Sequence, residues 1–234
     1  MSLYDEYSDK KESSKALPVG EGLGGASKTI QSRYNYSEIW QWLQQKGNEV
    51  YGKKFQLYEE DKPSIYLLLC WFLQDDIAAP QLELDLQKGI LLSGPVGCGK
   101  TTLINLMKYI VQQPEQKFIT KSCRDISFEF IEDGFSVIHK YSRGALYQYL
   151  PRTYCFDDLG TEGSLKYYGN ECNVMAEILL TRYDLFAAQN LLTHVTTNLS
   201  ASEIEEAYGN RVRSRMREMF NLIAFNSQSK DKRQ

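Results

Sequence analysis

The chain has 234 residues, 42% apolar and 24% charged, with a net charge of −3. That is the profile of an ordinary globular protein, long enough for one sizeable core domain and a small appendage. The balance is too slight to announce a nucleic-acid partner by itself, and the longest apolar run, IYLLLCWFL at 65–73, is too short to cross a bilayer. The first residues, MSLYDEYSDKKESS, are polar and show no secretory signal. Cys70, Cys98, Cys123, Cys155 and Cys172 are odd in number and widely spaced, without a CxxC pair. Neither a zinc site nor a disulfide framework is favoured, and a reducing cytoplasm fits best.

In chain order, residues 1–30 read as a flexible tail rich in Ser, Gly, Lys and Glu. Gly20, Gly22 and Gly25 spell GxGxxG there, but no strand precedes them and the match is a decoy. Residues 31–84 form a helical N-terminal extension. It holds one helix over 37–51, with Ile39, Trp40 and Leu43 on one side, and a buried one starting at Asp61 and Pro63. The aromatic residues Tyr34, Tyr36, Trp40 and Trp42 are read as packing of the short helix or as a partner surface. From 85 to 226 the pattern alternates strand and helix. Strands are expected at 89–94, 117–120, 153–158, 191–197 and 221–225. Helices are expected at 100–113, over most of 124–141, at 173–186, and over 202–208 followed by an arginine-rich helix. Ser202 and Glu205 form a capping box for that last pair. The alternation predicts an α/β fold with a five-stranded, mostly parallel sheet covered by helices. Residues 227–234 are a basic tail.

The run GPVGCGKTT at 94–102 fits GxxxxGK[ST] and sits between a buried strand and a helix, the context a phosphate loop requires. Gly94, Gly97 and Gly99, with Pro95, Val96 and Cys98 between them, let the backbone turn its N–H groups toward phosphate oxygens. The next helix adds the positive end of its dipole through Lys100, Thr101 and Thr102. Lys100 is placed for the β- and γ-phosphates, and the Thr101 hydroxyl for Mg2+. Cys98 reads as a small filler, with a reactive thiol as the alternative. In YCFDDLGTE at 154–162 a strand ends in two carboxylates. Asp157 is placed to hold Mg2+ through water, and Asp158 to orient or activate the attacking water. Asp157 to Gly160 also spells the DxxG of GTPases, but no NKxD segment follows. The strand LLTHVTTN ends in Thr196, Thr197 and Asn198, where a polar side chain can hold the lytic water beside the acids. His139 and His194 sit among apolar neighbours and read as packed or surface residues.

In YGNRVRSRMREMF at 208–220, Val212, Met216 and Met219 mark one face of a helix. Arg211 and Arg215 flank that stripe on one side, Arg213 and Arg217 on the other. Together GPVGCGKTT, FDDLGTE, LLTRYDL, THVTTNLS and YGNRVRSRMRE, in this order, resemble the AAA+ ATPases of the DnaC/IstB family, helicase loaders and transposition helpers, over about residues 85–225. The resemblance implies a P-loop ATPase that uses ATP and Mg2+ and assembles into an ATP-dependent oligomer. Its implied partners are single-stranded DNA and a replicative helicase or transposase, in the cytoplasm, with no membrane. It matches Asn198 to the first sensor and Asp157 with Asp158 to the acidic pair. It places at Arg215 the arginine finger that completes a neighbour's site, with Arg211 one turn away as the other candidate. Many AAA+ proteins carry Glu at the second acidic position, one methylene longer than Asp158, so Glu162 is considered as an assisting acid. Arg213 and Arg217 are left to DNA backbone or to acids such as Glu218. Two other readings remain open: an ATP-gated interaction module with little hydrolysis, and a small-molecule phosphotransferase.

Overall fold

The computed structural model describes residues 30–144, 152–162, 165–167, 170–226, 229 and 231–232. Apart from Ile30, the expected tail over 1–30, with its glycine decoy, lies outside them. Two compact units are distinguished: Met1–Leu86 with Leu103–Gln112, and Gln87–Thr102 with Gln113–Gln234.

In the first unit, helix α1 (Tyr36–Tyr51) buries Tyr36, Ile39, Leu43 and Gly47. The spacing is helical, so one stripe goes inward. Trp40 is only partly buried and packs edge-on against Tyr66. Helix α2 (Lys62–Phe72) starts with Pro63 in its first turn and buries eight residues. Asp75 is fully buried and organises the end of this unit. Its carboxylate accepts from the hydroxyls of Ser32 and Tyr36 and from the backbone N–H groups of Ile77 and Ala78. Among the described residues no helix is long and apolar enough to cross a membrane.

The second unit carries the sheet. Strands β1 (Gly89–Ser93), β2 (Ile119–Ser122), β3 (Tyr154–Leu159), β6 (Thr193–Thr197) and β7 (Phe220–Ala224) lie in the order β2-β3-β6-β1-β7. All four pairings are parallel. Parallel neighbours need crossovers, and helices supply them: α4 (Cys123–Asp133), α5 (Phe135–Ser142), α6 (Val174–Gln189) and α7 (Ala201–Met219), while α3 (Lys100–Met107) has only its first three residues in this unit. A short antiparallel hairpin, β4 (Leu165–Tyr167) with β5 (Asn170–Cys172), precedes α6 and was not expected from the sequence. The core is a continuous apolar cluster drawn from α4 to α7 and the sheet, with Phe130, Phe156, Ile178, Val195 and Met216 among its members.

Three local expectations are corrected. The helical stretch at 124–141 is two helices, broken where Gly134 adopts φ 62°. Helix α7 starts two residues earlier than expected, capped by Ser200 with Glu203 in a reciprocal box rather than by Ser202 with Glu205. Leu199 and Ile204, the residues before the cap and at the fourth helical position, join the apolar core in that register, which a start at Ser202 would forgo. The helix then bends at Gly209, whose φ of 83° no β-carbon tolerates easily, so the arginine segment is a separate turn of direction. Its apolar stripe is as expected: Val212, Met216 and Met219 are all buried.

Two buried basic side chains hold the sheet interior. Arg182, fully buried on α6, donates to Thr193 Oγ1 (2.7 Å) and to the carbonyls of Tyr141, Arg152 and Leu192 (2.8–3.0 Å). His194 on β6 is also fully buried, and its Nδ1 accepts from the N–H of Ile90 on β1 (3.2 Å). Burial, helped by the Arg182 charge, pushes the His194 imidazole down to about 3 from 6.5. The unfolded chain therefore binds a proton at this site that the folded chain refuses. Stability from His194 is complete above pH 6.5 and is lost as pH falls toward about 3. Urea titrations should show the native chain losing roughly 2 kcal/mol more than His194→Gln between pH 7 and pH 5. A stability difference between the two proteins that does not change with pH would show that His194 is not buried neutral.

Candidate phosphate-binding site

The loop Gly94–Gly99 leaves β1 at its C-terminal end and feeds α3, whose first residues are Lys100, Thr101 and Thr102. Strand β6 lies between β1 and β3, so the C-terminal ends of three neighbouring strands meet here. That edge is where open α/β sheets hold ligands. Gly97 takes φ 80° and Gly99 φ 95°, as a tight turn toward a helix N-terminus demands. Cys98 is fully buried and fills space, whereas Val96 at the turn's tip is exposed.

Lys100 is 5% exposed. Its ammonium donates to the carbonyls of Gly94 (2.8 Å) and Pro95 (2.9 Å) and to Asn198 Oδ1 just beyond β6. The loop's lysine and the residue matched to the first sensor are thus in direct contact. Thr101 Oγ1 lies 3.0 Å from both carboxylate oxygens of Asp157. Thr196, on β6, donates from Oγ1 to Asp157 Oδ1 (2.6 Å) and accepts from the N–H of Asp158 (2.9 Å). The structure therefore brings together Lys100, Thr101, Asp157 and Asn198. It adds Thr196 as a central member, which sequence reading treated as one of three polar residues at a strand end.

Asp157 and Asp158 do not sit on a regular strand. Between Phe156 and Leu159, β3 spends three steps where β6 spends two, from Val195 to Thr197. The extra residue is a β-bulge, which frees consecutive side chains from strict alternation. Asp158 adopts φ 56°. The left-handed region admits Asp and Asn far more readily than longer side chains. Asp suits that conformation, which Gln74 and Glu83 also adopt elsewhere in the chain.

The donor set fits a hard divalent cation. The Thr101 hydroxyl and the Asp157 carboxylate are neighbouring oxygen ligands of the kind Mg2+ takes. Those two residues would hold it, and the ion would supply charge neutralisation to phosphate oxygens. Glu162 is engaged elsewhere. It accepts from the N–H of Gly160 (3.0 Å) and from the Tyr208 hydroxyl on α7, and burial raises its carboxyl above the usual range.

The arginines separate differently from expectation. Arg215 stacks 4.2 Å from the centre of the Tyr183 ring and donates to Tyr183 Oη (2.9 Å) and Glu218 Oε1 (3.3 Å). Arg213 pairs with Glu205. Glu218 thus partners Arg215, not Arg213 or Arg217. Arg211 and Arg217 are exposed and make no ion pair among the described residues. Arg215 contacts none of the Lys100–Asp157 cluster within its own chain, its described partners being Tyr183 and Glu218.

Burial, then the neighbouring Asp158, raises the Asp157 carboxyl above 3.8, while Thr196, Thr101 and Lys100 oppose the rise. An acid whose folded pKa is raised favours the folded state at low pH. That contribution is complete below about 3.8 and is lost as pH climbs through the folded value. Asp157→Asn removes the buried charge and keeps a side-chain oxygen for Thr196 and Thr101. Its melting temperature should exceed that of the native chain at pH 7, with the gain shrinking as pH falls toward 4, as differential scanning calorimetry can record. A variant that is less stable at pH 7 would show that the charged form is favoured.

No protein-family model matches the chain, and no curated protein matches it by sequence. Solved structures do match. A Streptococcus pyogenes serotype M3 protein assigned to the primosome shares 17% identity, over 74% of this chain and 83% of its own, with a TM-score of 0.51. The DnaC helicase loader shares 17% identity, over 74% of this chain and 95% of its own, with a TM-score of 0.50. The chain therefore has the α/β P-loop fold of these proteins, a five-stranded parallel sheet flanked by helices, as the sequence resemblance implied.

Proposed function

We propose that the chain is a cytoplasmic AAA+ ATPase that binds and hydrolyses ATP with Mg2+. It works in an ATP-dependent oligomer as a DnaC-like helicase loader or an IstB-like transposition helper, acting on single-stranded DNA with a replicative helicase or transposase. The observation that carries the reading is the convergence of Lys100, Thr101, Asp157, Thr196 and Asn198 at the ends of β1, β3 and β6. Loop backbone and Lys100 bind the phosphates, and Thr102 extends the helix N-terminus that faces them. Asp158 accepts the proton of the attacking water, and Asn198, released from Lys100 as that ammonium turns to the phosphates, orients the water. Arg215 serves a neighbouring subunit. Its stacking on Tyr183 and pairing with Glu218 hold the guanidinium at a surface that is 38% exposed, suited to being presented in trans.

Lys100→Ala should abolish ATP binding in calorimetry. Arg215→Ala should bind ATP nearly normally and lose on the order of 10³-fold in turnover. Mixed together, the two inactive proteins should regain part of the activity, because some interfaces then pair an intact loop with an intact arginine. If both variants assemble and the mixture stays inactive at every ratio, Arg215 does not act in trans, and Arg211→Ala takes its place in the same test. Single-stranded DNA binding, measured by anisotropy with an ATP analogue present, should weaken steeply with salt if Arg211 and Arg217 meet phosphates. Salt-independent affinity, or none at low salt, would leave protein partners alone.

A further inference from the structure

The described residues after β7 lie beside the sheet end and the glycine-rich loop. After β7, the N–H of Phe225 donates to the carbonyl of Ser93 (2.8 Å), keeping the chain beside the end of β1. The N–H of Ser229 donates to the carbonyl of Asn226 (2.9 Å), and Ser229 is buried. Lys232 then closes onto the glycine-rich loop. Its backbone N–H donates to the carbonyl of Gly97 (3.0 Å) and its ammonium to the carbonyl of Cys98 (2.9 Å). The same ammonium lies 5.4 Å from the centre of the Phe225 ring. Between these bonds the Asp231 carboxylate is pressed against Gly97. A β-carbon at Gly97 would stand 2.2 Å from Asp231 Oδ1 and 2.3 Å from its Cγ. Only a glycine leaves room for that carboxylate.

We propose that Asp231 and Lys232 form an autoinhibitory latch on the phosphate loop, with the Asp231 carboxylate competing against the phosphates of a nucleoside triphosphate. The proposal rests on the reading of residues 94–102 as the nucleotide site. A backbone turn of this kind attracts anions through its N–H groups and the helix dipole. A carboxylate has the same sign and the same acceptor oxygens as a phosphate, and it cannot share the surface of Gly97 with one. Asp231 is also the one acid of the segment 227–234, whose other charges, Lys230, Lys232 and Arg233, are basic. Lys232 fixes the register by holding two successive loop carbonyls, those of Gly97 and Cys98. Nucleotide must then bind a chain whose tail has let go. If the latch is shut in about nine molecules of ten, apparent affinity is about tenfold weaker than that of the open loop.

The test uses the full chain and a fluorescent, slowly hydrolysed ATP analogue with Mg2+. The double variant Asp231→Ala/Lys232→Ala should bind the analogue about tenfold more tightly than the native chain. Asp231→Asn, which keeps the shape and loses the charge, should gain part of that. Hydrogen exchange adds a readout independent of affinity: saturating analogue should speed exchange at the Lys232 amide, since its bond to Gly97 opens. Equal affinities, with Lys100→Ala still abolishing binding, overturn the latch and leave the nucleotide site standing. Weaker binding by the double variant, or slower exchange at Lys232 with analogue, overturns it in favour of a tail that closes over the nucleotide. No binding by the native chain or the double variant overturns both readings.

Discussion

A single hydroxyl joins the strand geometry to the chemistry of the site. Thr196 sits on β6 opposite the bulge in β3, donating to Asp157 and accepting from the N–H of Asp158. A bulge leaves a backbone donor without its ladder partner, and a buried donor left unpaired costs about 1–3 kcal/mol. Thr196 answers that donor and, with the same oxygen, ties down a carboxylate that is 8% exposed. Valine would match its shape and supply neither bond.

The residue after Asp157 takes an uncommon backbone conformation, with Asp158 at φ 56°. Asp and Asn enter that left-handed region more readily than most residues. Glu162, four residues further on, braces the exit of β3 to Tyr208 on α7. That brace lies just before the bend at Gly209, so the loop that follows the acids is tied to the helix that carries the arginines. The acids and the arginine helix share a mechanical connection in addition to a common core.

How much of this the sequence discloses depends on the range of the signal. The phosphate loop is local, and so are the strand ending in Asp157 and Asp158 and the apolar stripe Val212, Met216 and Met219. The alternation of elements was sufficient to anticipate a parallel five-stranded sheet. The bulge was not legible, because FDDL reads the same with or without an extra residue and only the partner strand reveals the mismatch. The hairpin was missed because strands of three residues are too short to show a period. Two overlapping S-x-x-E boxes begin α7, and the choice between Ser200 and Ser202 is decided by Leu199 and Ile204, a tertiary preference. The tail at 227–234 reads as basic by composition, which hides its acid, Asp231, that lies against Gly97 beside the Lys232 contacts.

The polar groups of this site are satisfied by one another, and that shapes what a ligand must do. Lys100 is held by two loop carbonyls and Asn198, Thr101 by Asp157, and the carbonyls of Gly97 and Cys98 by Lys232. A phosphate entering the loop therefore trades existing bonds for new ones, and its affinity is the difference between the two sets. Freeing the Lys100 ammonium for phosphate releases Asn198 at the end of β6, the strand that also carries Thr196. Thr196 in turn holds the acids. The side chains that would read the nucleotide are the ones that hold the cluster without it, so occupancy of the loop and the arrangement of the acids are linked through one strand end rather than through a distant relay.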